Sequence, residues 1–376
     1  MKIGIDGRYQ GQPLTGVPRY IDELCRVLDE LLPQASFVLY AMQADGIRMP
    51  SSRWTLRVEP RESLRRLKPN LWWKFCAHRL IRQDGLNTLW CAAGLIPLGI
   101  DRLPCVLTVY DLTFRLYPQT MSRANLWAYR LFFARDLARA DKVLAISEGT
   151  STRAAAFYGR TADAIVRPDA GAQFRPAGPQ AVSAVRARYG LTKPYFLAVS
   201  TLEPRKNFTG LIEAFLFLRH SGKLPEQELV LIGKKGWRDT ALVDRIAAAD
   251  GASIRSLGFV PDEDLPALYS GCELFCMPSL YEGFGIPVRE ARRCGARVVA
   301  TAIPEMKEAG DGDTTFVKAE PQAIAEGIVK ALAQPRTVMH AASNDSWQAA
   351  AQTMIPFLTA SGSTTSAVCE EQRGGR

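Results

Sequence analysis

Long apolar runs, paired histidines and a cysteine framework are all missing from this 376-residue chain, and each absence narrows what it can be. No stretch approaches the roughly 20 uninterrupted apolar residues that a membrane-spanning helix needs. The chain opens directly on a strand-like run, Lys2-Ile3-Gly4-Ile5-Asp6, without the charged and apolar regions of a secretory leader. A cytoplasmic protein is expected. The three histidines, His78, His220 and His340, are isolated and form no metal-ligand pattern. The eight cysteines are scattered, several inside apolar runs, whereas disulfide frameworks belong to short secreted chains. Buried, unliganded thiols are expected, including Cys276 in the strand-like Leu274–Met277. The dinucleotide fingerprint G-x-G-x-x-G is absent after the first strand, which continues Asp6-Gly7-Arg8-Tyr9-Gln10-Gly11. That disfavours a nicotinamide dehydrogenase. No repeat of solenoid length is visible.

What remains is a globular composition, 47% hydrophobic and 23% charged, long enough for two domains. The net charge of +9 calls for an anionic partner: nucleic acid, a membrane surface or a phosphorylated substrate. Short β-branched runs alternate with helical patterns throughout. Strands are expected at 2–6, 37–41, 88–92, 105–110 and 142–146, then at 195–200, 228–232, 254–257, 274–277, 297–300 and 315–317. Strands separated by helices imply parallel βαβ units, and two such series imply two doubly wound α/β domains. The Pro- and Gly-rich segment 167–180 separates them. The expected division is 1–172 for the first domain and 181–345 for the second. A helix is expected over 346–360, and the polar tail 361–376 is expected to be disordered.

Ligands of open parallel sheets bind at the carboxyl ends of the strands, so the loops after strands are the places to look. After the first strand, Gly16 opens a helix; it either lets a ligand approach the backbone or is an ordinary turn glycine. After the strand at 195–200 comes Leu202-Glu203-Pro204-Arg205-Lys206-Asn207, two adjacent cations before a helix. Such a loop suits a diphosphate, with an exposed basic loop as the plain alternative. The strongest signal is Ser279-Leu280-Tyr281-Glu282-Gly283-Phe284-Gly285-Ile286-Pro287-Val288-Arg289-Glu290. A strand ends, a Gly-x-Gly turn follows, Pro287 starts a helix, and two carboxylates lie eight positions apart. Paired carboxylates also occur in glycosidases. However, a carboxylate beside a helix N-terminus is held ionised and makes a poor general acid.

These residues resemble the E-x7-E signature of retaining glycosyltransferases of the GT-B fold, and are most similar to glycosyltransferase family 4. The resemblance runs from about Lys2 to Leu358. It includes Ser256-Leu257-Gly258-Phe259-Val260-Pro261 as a nucleobase loop and Ile303-Pro304-Glu305 as a phosphate-proximal turn. It implies two Rossmann-like domains facing across a cleft, 1–172 acceptor-binding and 181–345 nucleotide-sugar-binding, with the helix over 346–360 crossing back to the first. Arg205 and Lys206 would neutralise the leaving diphosphate, Glu282 would bind a donor-sugar hydroxyl, and Glu290 the ribose. Gly283, Phe284 and Gly285 would lie near sugar and phosphates, and Gly16, Phe259, Val260 and Glu305 would complete the donor site. No cofactor and no metal are implied: the donor is a co-substrate, and fixed positive groups meet the charge that develops on its leaving group. The implied reaction is hexose transfer, first mannose from GDP-mannose and second a UDP-sugar, to a lipid-linked surface polysaccharide such as O-antigen, capsule or exopolysaccharide.

Two positions depart from the family pattern. Tyr110 stands where many relatives carry histidine, beside Asp111, which either orients a substrate or caps a turn. The linker turn reads Pro168-Asp169-Ala170-Gly171. An Asp-x-Asp element exists, Asp311-Gly312-Asp313, in a turn-forming context. The segment 61–82 interleaves Arg65, Arg66, Lys68 and Lys74 with Trp72, Trp73 and Phe75. It either docks on the anionic inner leaflet, making the enzyme peripheral there, or buries its aromatics and solvates its charges. Other classes weighed are a phosphorylase, for which no pyridoxal-phosphate lysine can be placed, and a silent subunit of a glycan-assembly complex. Nucleic-acid binding is disfavoured, since no recognition helix or stacking sheet is present.

Overall fold

The computed structural model describes residues 1–11, 16–224, 226–233, 253–339 and 346–360. His340, Cys369 and the tail 361–376 lie outside the described residues. Among these described residues, thirteen strands form two sheets. The first contains β1 (Lys2–Asp6), β2 (Ser36–Ala41), β3 (Trp54–Val58), β4 (Thr88–Cys91), β5 (Cys105–Val109), β6 (Lys142–Ala145) and β7 (Ala164–Ile165), in the order β3-β2-β1-β4-β5-β6-β7. The second contains β8 (Tyr195–Val199), β9 (Glu228–Ile232), β10 (Ile254–Gly258), β11 (Leu274–Met277), β12 (Val298–Thr301) and β13 (Thr314–Val317), in the order β10-β9-β8-β11-β12-β13. The pairings across β8 to β13 are parallel. So are those from β3 through β1 to β5.

The strands form where they do because their apolar runs are buried on both faces. Leu229–Ile232 and Leu274–Met277 are almost wholly out of water, which is the burial a parallel sheet covered by helices requires. The helix Phe208–His220 lays Leu211, Ile212, Phe215 and Leu218 on β8, β9 and β11, forming the core of the second sheet with Phe196 and Leu231. Burying each such side chain contributes about 1.5–3 kcal/mol.

By packing, the chain divides into two compact units. The first comprises Met1–Thr108, Phe132–Leu144 and the residues from Ala351, and the second Val109–Leu131 and Ala145–Ala350. Within the first, Lys142 lies over the ring of Phe357, from the helix Trp347–Thr359, at 5.9 Å. Seven cysteines among the described residues are free and buried.

In the basic aromatic segment the two tryptophans and Lys74 are buried, whereas Leu67 and Phe75 are exposed, as are Arg66 and Lys68. Trp72 and Trp73 are fully buried: their indole N–H groups donate to Glu59 Oε2 at 2.8 Å and to the Leu95 carbonyl at 2.7 Å. Lys74 is equally buried, its Nζ donating to both Asp136 oxygens at 2.6 Å and to the Ile96 carbonyl at 2.8 Å. The expectation that these tryptophans and Lys74 sit at a headgroup layer is therefore corrected: they are core. An indole with a partner for its N–H buries more favourably than it stays wet.

Candidate active site

In the second sheet, β8 and β11 are neighbours although three strands apart in sequence order. The chain leaves β8 toward β9 and β10 on one side, and leaves β11 toward β12 and β13 on the other. Such a switch point opens a crevice at the carboxyl ends of the two strands. The two loops that the sequence singles out, 202–207 after β8 and 278–285 after β11, both lie there.

Residues 204–206 form a single 3-10 turn. Asn207 ends it in the left-handed region, φ 55°, the only non-glycine with positive φ among the described residues. Its side-chain amide donates to the Ala319 carbonyl at 2.8 Å, and the helix Phe208–His220 starts directly after it. That turn sends both cations to Glu282. Lys206 Nζ donates to Glu282 Oε1 at 2.6 Å, and Arg205 Nη1 donates to Oε2 at 3.0 Å. Arg205 Nη2 also donates to Glu203 Oε1 at 2.6 Å. Arg205 Nε is buried and has no hydrogen-bond partner.

The electrostatics follow from this geometry. Burial by itself raises the Glu282 carboxyl, but Lys206 and Arg205 outweigh it and hold the group at about 2. Burial pulls Lys206 below the ordinary lysine value, against the opposing pull of Glu282. For Arg205 burial again works against the charge, yet Glu282, Glu203 and Asp111 overcome it and raise the group. Glu282 is thus a permanent anion between two cations.

The Gly-x-Gly turn is held from its own unit. A Cβ on Gly283 would lie 2.1 Å from the Tyr110 carbonyl oxygen, so only glycine fits. The Gly283 carbonyl accepts from Ser147 Oγ at 2.7 Å. Gly285, at φ 108°, opens the helix Ile286–Arg293, and its open side faces Met306. Phe284 is buried under the Arg289 guanidinium at 5.2 Å. Tyr281 has three partners. Its ring stacks on Tyr117 at 6.0 Å, Arg153 lies over it at 5.2 Å, and its hydroxyl accepts from the Leu112 amide at 2.8 Å. Arg153 Nε in turn donates to Glu305 Oε1 at 2.6 Å, while Glu305 Oε2 is buried without a partner. Tyr117 and Arg153 carry no sequence signal of their own; each sits in an ordinary-looking segment.

Arg205, Lys206, Glu282 and Gly283 therefore come together, with Asp111 near enough to act on Arg205. Asp111 Oδ1 accepts from the Thr113 amide at 2.7 Å, so it does cap its turn. Glu290 lies further along its helix, buried, and accepts from the Tyr269 hydroxyl at 3.1 Å. After β10, Phe259 is 56% exposed and Val260 is buried. Gly16 belongs to the first unit, where it starts the helix Gly16–Leu31 in open space.

Residues 185–353 match the family model described as glycosyl transferases group 1. The chain carries a glycosyltransferase group 1 domain. Over 258 residues it is 30% identical to the O-antigen chain mannosyltransferase B of Escherichia coli, covering 67% of this chain and 64% of that protein. Over 220 residues it is 30% identical to the GDP-mannose-dependent alpha-(1-6)-phosphatidylinositol monomannoside mannosyltransferase of Mycolicibacterium smegmatis, covering 52% of this chain and 54% of that one. The match thus spans less than two thirds of either relative's length. Among solved structures, WaaG, a glycosyltransferase involved in lipopolysaccharide biosynthesis, superposes with a TM-score of 0.65 at 16% identity over 95% of both chains. The two doubly wound sheets are those of the GT-B fold.

Within the group 1 domain lie Arg205, Lys206, Phe259, Val260, Glu282, Gly283, Phe284, Gly285, Glu290 and Glu305; Gly16 and Asp111 precede it. The Asp311-Gly312-Asp313 turn also falls inside it, and there Arg292 takes the carboxylates. Its Nε donates to Asp311 Oδ1 at 2.9 Å and its Nη2 to Asp313 Oδ2 at 3.4 Å.

Proposed function

We propose that this chain is a retaining, metal-independent hexosyltransferase that moves mannose from GDP-mannose to a growing, lipid-linked surface polysaccharide. The observation that carries the reading is the buried Nε–H of Arg205, which has no partner, beside Lys206 at the switch point of the second sheet. A buried donor left unpaired costs about 1–3 kcal/mol, and a phosphate oxygen is the acceptor such a group fits. Arg205 and Lys206 offset the charge that appears as the sugar–phosphate bond breaks. Glu282, ionised throughout, keeps further lone pairs beyond those that accept from Lys206 and Arg205, and with these it accepts a donor-sugar hydroxyl. Glu290 takes the ribose. Phe259 and Val260 flank the base, Gly283 to Gly285 lie along sugar and phosphates, and Glu305 completes the donor's surroundings. The names of the two mannosyltransferase relatives support mannose, GDP and a glycan or lipid-linked acceptor.

The test is a thermal-shift series with GDP, UDP, GDP-mannose and UDP-glucose, followed by donor turnover with and without excess EDTA. A ligand that binds only the native state raises its melting point. GDP and GDP-mannose should do so most, turnover should survive EDTA, and the mannose should keep its anomeric configuration in the product. Stabilisation by no nucleotide would remove the diphosphate site. Binding without any donor turnover would favour a silent subunit. Loss of turnover in EDTA that a divalent ion restores would overturn the metal-free route.

A further inference from the structure

Glu282 is paired with Arg205 and Lys206, but the turn that carries it is held by another element of the second unit, the helix Glu148–Tyr158. Ser147 caps that helix: its Oγ accepts from the Thr150 amide at 3.0 Å and donates to the Gly283 carbonyl at 2.7 Å. Thr150 Oγ1 donates to the Tyr110 carbonyl at 3.2 Å, the same oxygen against which Gly283 closes. One turn further, Arg153 lies over the Tyr281 ring at 5.2 Å and donates through Nε to Glu305 Oε1 at 2.6 Å. Ser147, Thr150 and Arg153 follow at three-residue spacing, which puts them on one side of the helix.

The contact at Arg153 bears most directly on the carboxylate. Tyr281 immediately precedes Glu282, so whatever fixes Tyr281 fixes the backbone from which that side chain starts. The Tyr281 ring stacks on Tyr117 with 11° between the planes, and its carbonyl accepts from Arg205 Nη1 at 2.5 Å. A guanidinium is planar, so it can lie over a ring and donate a hydrogen bond at the same time, which an ammonium does poorly. Glu305 supplies the countercharge and is wholly buried, whereas the Arg153 side chain is 31% exposed. A Cβ on Gly149 would lie 2.6 Å from Glu305 Cδ, so the helix admits this carboxylate only because that residue is glycine. The anion cannot swing into water, and it holds the arginine in place.

We infer that Arg153 is a positioning residue: clamped by Glu305, it holds Tyr281 and thereby sets Glu282 for the donor sugar. Arg153 itself touches no reacting atom. What Glu282 grips comes from the proposed function, whereas the clamp on Tyr281 does not depend on it. Loss of Arg153 should therefore be felt at the sugar more than at the diphosphate, which Arg205 and Lys206 meet from the loop after β8.

Hydrogen exchange and kinetics on Arg153→Met test it, with Arg153→Lys as the conservative variant and Thr152→Ala, exposed on the same helix, as the control. In the free protein, amides of residues 280–285 should exchange about tenfold faster in Arg153→Met, while the strands of the second sheet keep their protection. Leu280 is the best reporter, since its amide donates to the Arg205 carbonyl at 2.8 Å. With saturating GDP-mannose, kcat should fall about tenfold or more, the consequence of a small misplacement of a gripping group. The thermal shift caused by GDP alone should stay near that of the wild type. Arg153→Lys should recover part of the loss, and Thr152→Ala should match the wild type. In a Glu282→Gln background, Arg153→Met should lower kcat little further, because both act through one carboxylate. Unchanged exchange at 280–285, or losses that multiply in the double variant, would overturn the clamp. Faster exchange throughout the unit together with loss of the GDP shift would overturn it as well, as general destabilisation. A wild type that turns over no donor would remove the proposed function instead, and exchange at 280–285 would still decide whether Arg153 holds the turn.

Discussion

Lys206 Nζ lies 2.6 Å from Glu282 Oε1, an ion pair bridging the loops after β8 and β11 with both side chains almost out of water. On the proposed function, the pair fixes the lysine where a leaving diphosphate needs charge. Lys206→Ala should lower turnover at saturating donor by ~10²-fold or more, the scale of losing one preorganised charge-stabilising group. Steady-state kcat decides it, and near-wild-type turnover would remove Lys206 from the chemistry.

The same pair sets a pH dependence. Glu282 titrates at about 2 in the folded protein against an ordinary 4.5, so the unfolded chain binds more protons than the native one between those values. The stabilisation is complete above about pH 4.5 and is lost as pH falls toward 2. Acid melting curves should therefore be flatter for Glu282→Gln across that window. Since the carboxyl stays ionised at neutral pH, kcat/KM should show no acid limb from Glu282 above pH 4.5.

Gly283 has no room for a methyl group, whereas Gly178 has open space around it at an unremarkable φ of −68°. Gly283→Ala should destabilise by about 1–3 kcal/mol through overpacking against the Tyr110 carbonyl. It should also displace the turn that carries Glu282. Gly178→Ala should leave both melting temperature and turnover near wild type, and equal effects of the two substitutions would contradict the geometry.

Lys74 is a core residue with a buried countercharge. Lys74→Met leaves buried Asp136 with only the Arg139 guanidinium at 3.3 Å and the Ile96 amide at 3.0 Å, and should cost about 3 kcal/mol in urea unfolding, while Lys74→Met/Asp136→Leu should recover part of that loss. An exposed lysine would cost a few tenths at most.

Much of this is legible in the sequence. The strands at 2–6, 195–199, 228–232 and 274–277 match their apolar runs because both sheet faces are covered, so burial leaves an unbroken signature. β3 escaped, since only alternate residues of Trp54–Val58 are sheltered, and β7 is two residues long. The two site loops were legible because strand ends in a parallel sheet are where ligand chemistry can sit. The Tyr117–Tyr281–Arg153–Glu305 chain was not: its members are far apart in sequence, and stacking leaves no spacing to read. The tryptophans of 61–82 were ambiguous for a related reason. Cations next to aromatics look alike whether the aromatics meet lipid or Glu59 and Leu95, and only the countercharge of Asp136, 62 positions away from Lys74, tells the two apart.

Asn207 occupies a left-handed backbone conformation immediately after Lys206, fastened by its side chain to the Ala319 carbonyl. The curvature that aims the neighbouring cations is consequently built into the main chain rather than assembled around an arriving anion. A binder that enters such a loop finds its charges already gathered, and little reorganisation is left to oppose its capture.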